Sequence, residues 1–395
     1  MIMSNSAGSF SKVASLSGGD RISIELIKKA ISEEAEISLF ASQSTLSMHS
    51  RYYDTNQVKW SVSVRMLLKS PHLFASNVLQ LLASLSSSMQ LIFKKNLKYD
   101  AILSQSEFIC DLVPAIVAKI LMKGKLIIGY YIFAPRPCTD EFPYKGKHKI
   151  KGILYFGMQF ISLLLTNKFA DMVWVTNDED KKRLLEQGMF GDHDIIVVRG
   201  GVHLPSNFRP NIETNKSYDA VFIGRLHPQK GVLELIEIWN AVLKMKPNCR
   251  LAIIGNGYLE SEMRNKCREL GIDRSVTFYG FLDGDAKTNV FVDSKVVLHP
   301  AIYDSGGMAA AEAMAFGLPG VGFDLLSLRS YYPKGMLKAK CFDVEDFASQ
   351  IVNLLEDRTL YSNLSKEAYE FSKTWDWNSR SEFLYTQISN LVDQG

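Results

Sequence analysis

Two carboxylates eight residues apart, Asp304 and Glu312, bracket glycine, methionine and alanine in YDSGGMAAAEAMAFGLPG at 303–320. The preceding LHP ends a strand, AIYDS reads as a loop, and GGMAAAEAMAFG reads as a helix stopped by Gly317-Leu318-Pro319. The N–H groups of Gly306, Gly307 and Met308 would then form an anion seat at a helix tip. Glu312 would lie about one and a half turns further on, roughly 8 Å along the axis. Carboxylates accept two hydrogen bonds from vicinal hydroxyls, so Asp304 suits a sugar on one side of a diphosphate and Glu312 a ribose on the other. The plainer alternative is that Asp304 and Ser305 cap the helix while Glu312 faces water.

A second stretch, FIGRLHPQKG at 222–231, follows a strand with Arg225 and Lys230 before an apolar helix. Two fixed cations there would stabilise a departing diphosphate, whose charge grows as its bond to a sugar breaks. On their own, an Arg and a Lys in a loop are more often solvated surface.

These stretches need strands that aim them. Branched apolar runs alternate with helix-period segments along the whole chain. EISLFA at 36, WSVSV at 60, YDAILS at 99, KLIIGY at 125, DMVWVT at 171 and DIIVV at 194 read as strands of the first half. AVFIG at 220, RLAIIG at 250, SVTFYG at 275, KVVLHP at 295 and PGVGF at 319 repeat the pattern. About eleven such strands exceed one compact sheet, so the alternation predicts two doubly wound parallel sheets, with ligands beyond the strand ends in a cleft between them. The polar, proline-bearing stretch at 204–219 reads as the hinge, and NSRSEFLYTQISNLV as a helix added after the second sheet.

Length and composition agree with two domains: 395 residues, 47% hydrophobic and 22% charged. Residues 1–205 carry 24 Lys/Arg against 18 Asp/Glu, and the remainder 21 against 24. The first half is therefore the one to face an anionic partner. Five scattered cysteines with no C-x-x-C suggest neither a disulfide framework nor a zinc site, and the first residues lack a secretion signal, so a cytoplasmic setting is expected.

GRLHPQKG, IIGNGYLESEMRNKCRELGI, VTFYGFL and DSGGMAAAEAMAFGLP together resemble the donor domain of the retaining glycosyltransferases of family GT4, glycosyl transferases group 1. More loosely, SGGDRISIELIKKA is similar to the family's glycine-rich first loop and helix, YDAILSQS to its middle strand and VVRGGV to the strand approaching the hinge. The resemblance implies an α/β GT-B fold: a Rossmann-like acceptor domain over 1–205 with a C-terminal helix at about 374–395 packed back on it, and a Rossmann-like donor domain over 216–372. It implies retaining transfer of a hexose from a nucleotide sugar to a glycan or lipid-linked acceptor, with no metal, cofactor or nucleic acid. Arg225 and Lys230 would bind the diphosphate, Glu312 the ribose and Asp304 the donor sugar. Gly18 and Gly19 would approach the phosphate or acceptor.

Two departures stand out. Asp304 replaces the glutamate that opens the family's E-x7-E pair, and YYIFAPRP lacks a histidine many relatives carry after the strand matching KLIIGY. Tyr130 and Tyr131 could supply acceptor-side hydroxyls there, with strand-end packing as the alternative. The fold also admits a nucleotide-sugar epimerase or a non-catalytic nucleotide-sugar-binding subunit. Activity is expected to survive chelation, and Lys230→Ala to cut turnover far more than it disturbs folding.

Several other motifs read as structure. Asp283-Gly284-Asp285 matches a manganese-binding D-x-D but stands at a strand-to-helix junction favouring caps. Asp178-Glu179-Asp180 opens a helix, and Gly255-Asn256-Gly257 lacks the third glycine of a dinucleotide fingerprint. The seven histidines show no ligand spacing. Residues 71–93 are too polar, and 152–165 too short, to cross a bilayer. Lys145, Lys147, Lys149 and Lys151 before the second run, and Lys94 and Lys95 after the first, admit peripheral contact with an anionic membrane; a solvated basic loop before a core helix is the alternative.

Overall fold

The computed structural model describes residues 1–5, 17–64, 73–94, 96–137, 142, 148–205 and 215–394. Lys95, Lys145, Lys147, Cys138 and the middle of the expected hinge lie outside the described residues. The chain divides into one unit of Met1–Gly200 with Trp377–Gly395, and a second of Gly201–Asp376.

In chain order the first unit runs β1 (Ile2–Ser4), α1 (Gly18–Ser32), β2 (Ser38–Ser42), α2 (Gln43–His49), β3 (Lys59–Val64), α3 (Leu73–Phe93), β4 (Ala101–Ser104), α4 (Ile109–Met122), β5 (Lys125–Tyr130), α5 (His148–Phe169), β6 (Met172–Val175), α6 (Asp178–Glu186) and β7 (Ile195–Val197). The strands form one parallel sheet in the order β3-β2-β1-β4-β5-β6-β7. Helix α1 begins sharply because Ser17 and Asp20 form a reciprocal capping box. Asn177 caps α6, whose first turn holds Asp178, Glu179 and Asp180 against the positive end of the helix.

The second unit follows as β8 (Tyr218–Ile223), α7 (Val232–Met245), β9 (Leu251–Ile254), α8 (Glu260–Glu269), β10 (Val276–Gly280), α9 (Gly284–Val292), β11 (Ser294–His299), α10 (Ala309–Met314), β12 (Gly320–Phe323), α11 (Leu326–Arg329), β13 (Met336–Ala339), α12 (Val344–Glu356) and α13 (Arg358–Ser372). Its parallel sheet has the order β10-β9-β8-β11-β12-β13. Val232, Leu235, Ile236, Trp239 and Val242 recur at helical spacing on α7 and bury one stripe against this sheet. Helix α14 (Trp377–Asp393) then returns to the first unit, where Trp377 and Leu384 join the core beneath α1 and Lys29 pairs with Glu382.

Among the described residues the expected eleven strands become thirteen. β1 is three residues long, and β13, in KGMLKAK, is an edge strand whose lysines hide its apolar alternation. The four described cysteines are free thiols. Each sheet reverses its strand order once, between β1 and β4 in the first unit and between β8 and β11 in the second. Loops leaving strands at such a point splay apart and leave room for a ligand.

Candidate active site

The loops after β8 and β11 meet at the switch point of the second sheet, and backbone contacts force the meeting. Gly231, at φ +63°, approaches Pro300 so closely that a Cβ would stand 1.8 Å from its carbonyl oxygen. The N–H groups of Ile302 and Tyr303 both donate to the Gln229 carbonyl, at 3.2 and 3.4 Å. The other side of the β8 loop is held by β9: Leu226 N–H donates to Asn256 O at 2.9 Å, and a Cβ on Gly255 or Gly257 would strike Gly224 O or Leu226 O. The Gly-Asn-Gly motif is therefore a packing device for the neighbouring loop.

Held in this way, Lys230 Nζ bonds Asp304 Oδ2, with both side chains largely buried. Asp304 Oδ1 accepts Ser305 N–H at 2.9 Å, and its carbonyl accepts Ser327 Oγ. Burial would raise the Asp304 pKa, but the ammonium of Lys230 overrides it and holds the carboxyl below its ordinary value. Arg225 is exposed and makes no ion pair among the described residues. It is a cation free to meet an incoming anion.

Gly307 lies against this pair. A Cβ there would fall 2.2 Å from Asp304 Oδ2 and 2.9 Å from His299 Cε1, so only glycine fits. Its carbonyl accepts Tyr332 Oη. The expected helix tip needs correcting: α10 begins at Ala309 and spans six residues, so Gly306, Gly307 and Met308 precede it as loop and cap. Their N–H groups donate to nothing among the described residues, and the short helix adds little dipole. Glu312 accordingly sits in the first turn, not one and a half turns along.

Its partner was not legible in sequence. Lys287 Nζ lies 2.7 Å from Glu312 Oε2 and 3.3 Å from Asp283 Oδ1. Burial would lower the Lys287 pKa, but the two carboxylates raise it above its usual range. Lys287 thus fixes the orientation of Glu312, leaving Oε1 as an acceptor. Asp283 also caps α9 by accepting Gly284 N–H, as its place at the junction suggested.

His299 was also missed, because packing defaults cover most lone histidines. It ends β11 with Nε2 3.6 Å from Asp304 Oδ2, fully buried and without a hydrogen-bond partner. Burial first, then the Lys230 and Lys338 charges, outweigh Asp304 and push its pKa down to about 4. Lys338, over the Tyr332 ring at 5.3 Å, is pushed down to about 8 by burial. Between pH 6.5 and 4 the folded chain binds fewer protons at His299 than the unfolded chain, so this contribution is complete above 6.5 and lost as pH falls. At pH 5 the loss is about 2 kcal/mol. Calorimetry of the His299→Gln protein is expected to show a shallower acid decline of the second unit than the wild type.

In the first unit, Gly18 opens α1 with free space around it, while Gly19 packs beneath the Tyr131 ring, 2.5 Å from the place of a Cβ. Tyr131 Oη is buried without a partner. Tyr130 is a correction: fully buried, stacked on Phe133 at 5.5 Å and bonded to Thr166 Oγ1 at 3.0 Å, it is core packing with no hydroxyl to offer. Near the strand ends, Glu107 is buried beside Gln159 and Tyr155, and burial lifts its pKa to about 7.

Residues 205–371 match the family model for glycosyl transferases group 1. The chain is 35% identical over 114 residues to an uncharacterized glycosyltransferase of Methanocaldococcus jannaschii, covering 29% of each. It is 26% identical over 238 residues to the sulfoquinovosyl transferase of Arabidopsis thaliana, covering 57% of this chain and 44% of that one. The chain thus spans well under two thirds of these relatives. Among solved structures, Anabaena HepE in complex with UDP and glucose superposes with TM-score 0.71 at 15% identity, over 98% of both chains. Sucrose-phosphate synthase of Thermosynechococcus elongatus gives 0.75 at 15%, over 100% and 99%. The two parallel α/β units have the GT-B fold.

Proposed function

We propose, for a chain whose residues 205–371 match the family model for glycosyl transferases group 1, that it moves a hexose from a nucleotide-diphosphate sugar to a lipid-linked or polysaccharide acceptor with retained anomeric configuration. The observation that carries this reading is the buried Lys230–Asp304 pair beside the unpaired Arg225 and the unpaired N–H groups of Gly306, Gly307 and Met308.

The diphosphate draws Lys230 toward itself and is held by Arg225 and those N–H groups. Asp304, released from the ammonium, accepts a hydroxyl of the sugar, and Glu312, steadied by Lys287, accepts the ribose hydroxyls. As the bond from the anomeric carbon to the diphosphate oxygen breaks, the fixed cations stabilise the growing charge. The acceptor oxygen bonds that carbon from the same face, and its proton passes to the departing diphosphate. Gly18 and Tyr131 are the acceptor-side candidates of the first unit.

A thermal-shift panel of UDP-, GDP- and ADP-sugars tests the reading. One of them, at 100 times its dissociation constant, is expected to stabilise the second unit by about 2.7 kcal/mol. Arg225→Ala is expected to weaken that ligand about tenfold, as one charge-assisted contact is lost, while leaving the unliganded melting temperature unchanged because the side chain is exposed and unpaired. Turnover is expected to survive a chelator. No stabilisation by any nucleotide sugar would overturn the reading; donor consumption without an acceptor would indicate an epimerase, and binding without turnover a non-catalytic subunit.

A further inference from the structure

Two helices of the first unit expose apolar stripes: Ala83 and Leu91 of α3 and Leu163 of α5 are buried, but more of the apolar side chains whose burial is described point outward. On α3, Leu82, Leu85, Met89 and Phe93 form one outward stripe, with Leu85 60% and Phe93 86% exposed, while Ser84 and Ser87 are buried. On α5, Ile150, Ile153, Phe160, Ile161 and Leu164 point outward, Ile150 64% and Phe160 53% exposed, and the inward face holds the buried Gln159, Ser162 and Thr166. At about 100° per residue each stripe stays within an arc of roughly 120°. A helix packed only against its own core turns such a stripe inward, and apolar side chains exposed in rows mark an interaction surface. Both helices pack against α4, so the two stripes belong to one side of the unit.

Charge indicates what covers them. Neither α3 nor α5 contains an Asp or Glu, the exposed Lys149 and Lys168 stand near the two ends of α5, and the exposed Lys98 lies in the loop that follows α3. A second copy would bring like charges together, whereas anionic headgroups would meet the lysines while acyl chains take the leucines and phenylalanines. None of the described helices is long and apolar enough to cross a membrane.

We propose that α3 and α5 form the surface by which this protein lies on an anionic lipid bilayer, their apolar stripes sunk into the headgroup region and parallel to it. The inference is independent of the donor chemistry of the second unit.

Sedimentation of the full chain with vesicles tests it. Binding to phosphatidylcholine mixed with phosphatidylglycerol is expected, about tenfold or more weaker to phosphatidylcholine alone and reduced by salt. The pair Leu85→Asp with Phe160→Asp is expected to abolish it, and Lys98→Glu with Lys149→Glu to weaken it about tenfold. All these side chains are exposed, so melting temperature and nucleotide-sugar binding should be unchanged. Wild-type protein left in the supernatant, equal binding to both vesicles, or vesicle binding that survives Leu85→Asp with Phe160→Asp would overturn the proposal. So would self-association abolished by those changes in the absence of vesicle binding.

Discussion

Alanine at position 230 is expected to lower turnover by about a hundredfold or more, the scale seen when one donor to a developing anion is removed. It is also expected to cost about 3 kcal/mol of stability, because Asp304 is left buried without its cation. The sequence-based expectation is that this change cuts turnover far more than it disturbs folding; the buried ion pair adds a stability cost of comparable size. The two effects separate in a double variant. Lys230→Ala with Asp304→Asn removes the stranded charge and should recover most of the stability but none of the activity. Chemical denaturation and single-turnover rates on the wild type, the two single variants and the double variant form the cycle; a double variant as unstable as Lys230→Ala alone would show that the ion pair is not the source of the cost.

Gly231→Ala is expected to be more damaging than any surface change. A Cβ at φ +63° is strained, and this one would also overlap the Pro300 carbonyl. The loop must back away, breaking the bonds from Ile302 and Tyr303 to Gln229 and parting Lys230 from Asp304. A loss of about 3 kcal/mol is expected, together with loss of nucleotide-sugar stabilisation even where the protein remains folded. Gly18→Ala, with open space around the residue, is the contrasting control for thermal stability.

What could be read in advance follows physical locality. Apolar runs gave eleven of the strand positions with small errors at their ends, because β-branched clusters between turn residues are a local signal; β1 escaped because it is three residues long, and β13 because lysines lie in and beside its short apolar run. The glycine-rich stretch was recognised, but its helix was placed too early: Gly306 and Gly307 favour loop over helix, and the first helical turn waits for alanine. Lys287 and His299 reach the site from separate elements and carry no sequence mark of doing so. For α3 and α5, polarity and length argued against a membrane span without saying which side of each helix faces inward. That sign is set by the sheet beneath them.

Because α14 follows the second unit in sequence yet packs on α1, the first unit is assembled from both ends of this sequence. During synthesis residues 201–376 are complete before Trp377 and Leu384 leave the ribosome. The middle of the chain can therefore fold while its predecessor still waits, open beneath α1, for the last helix to arrive.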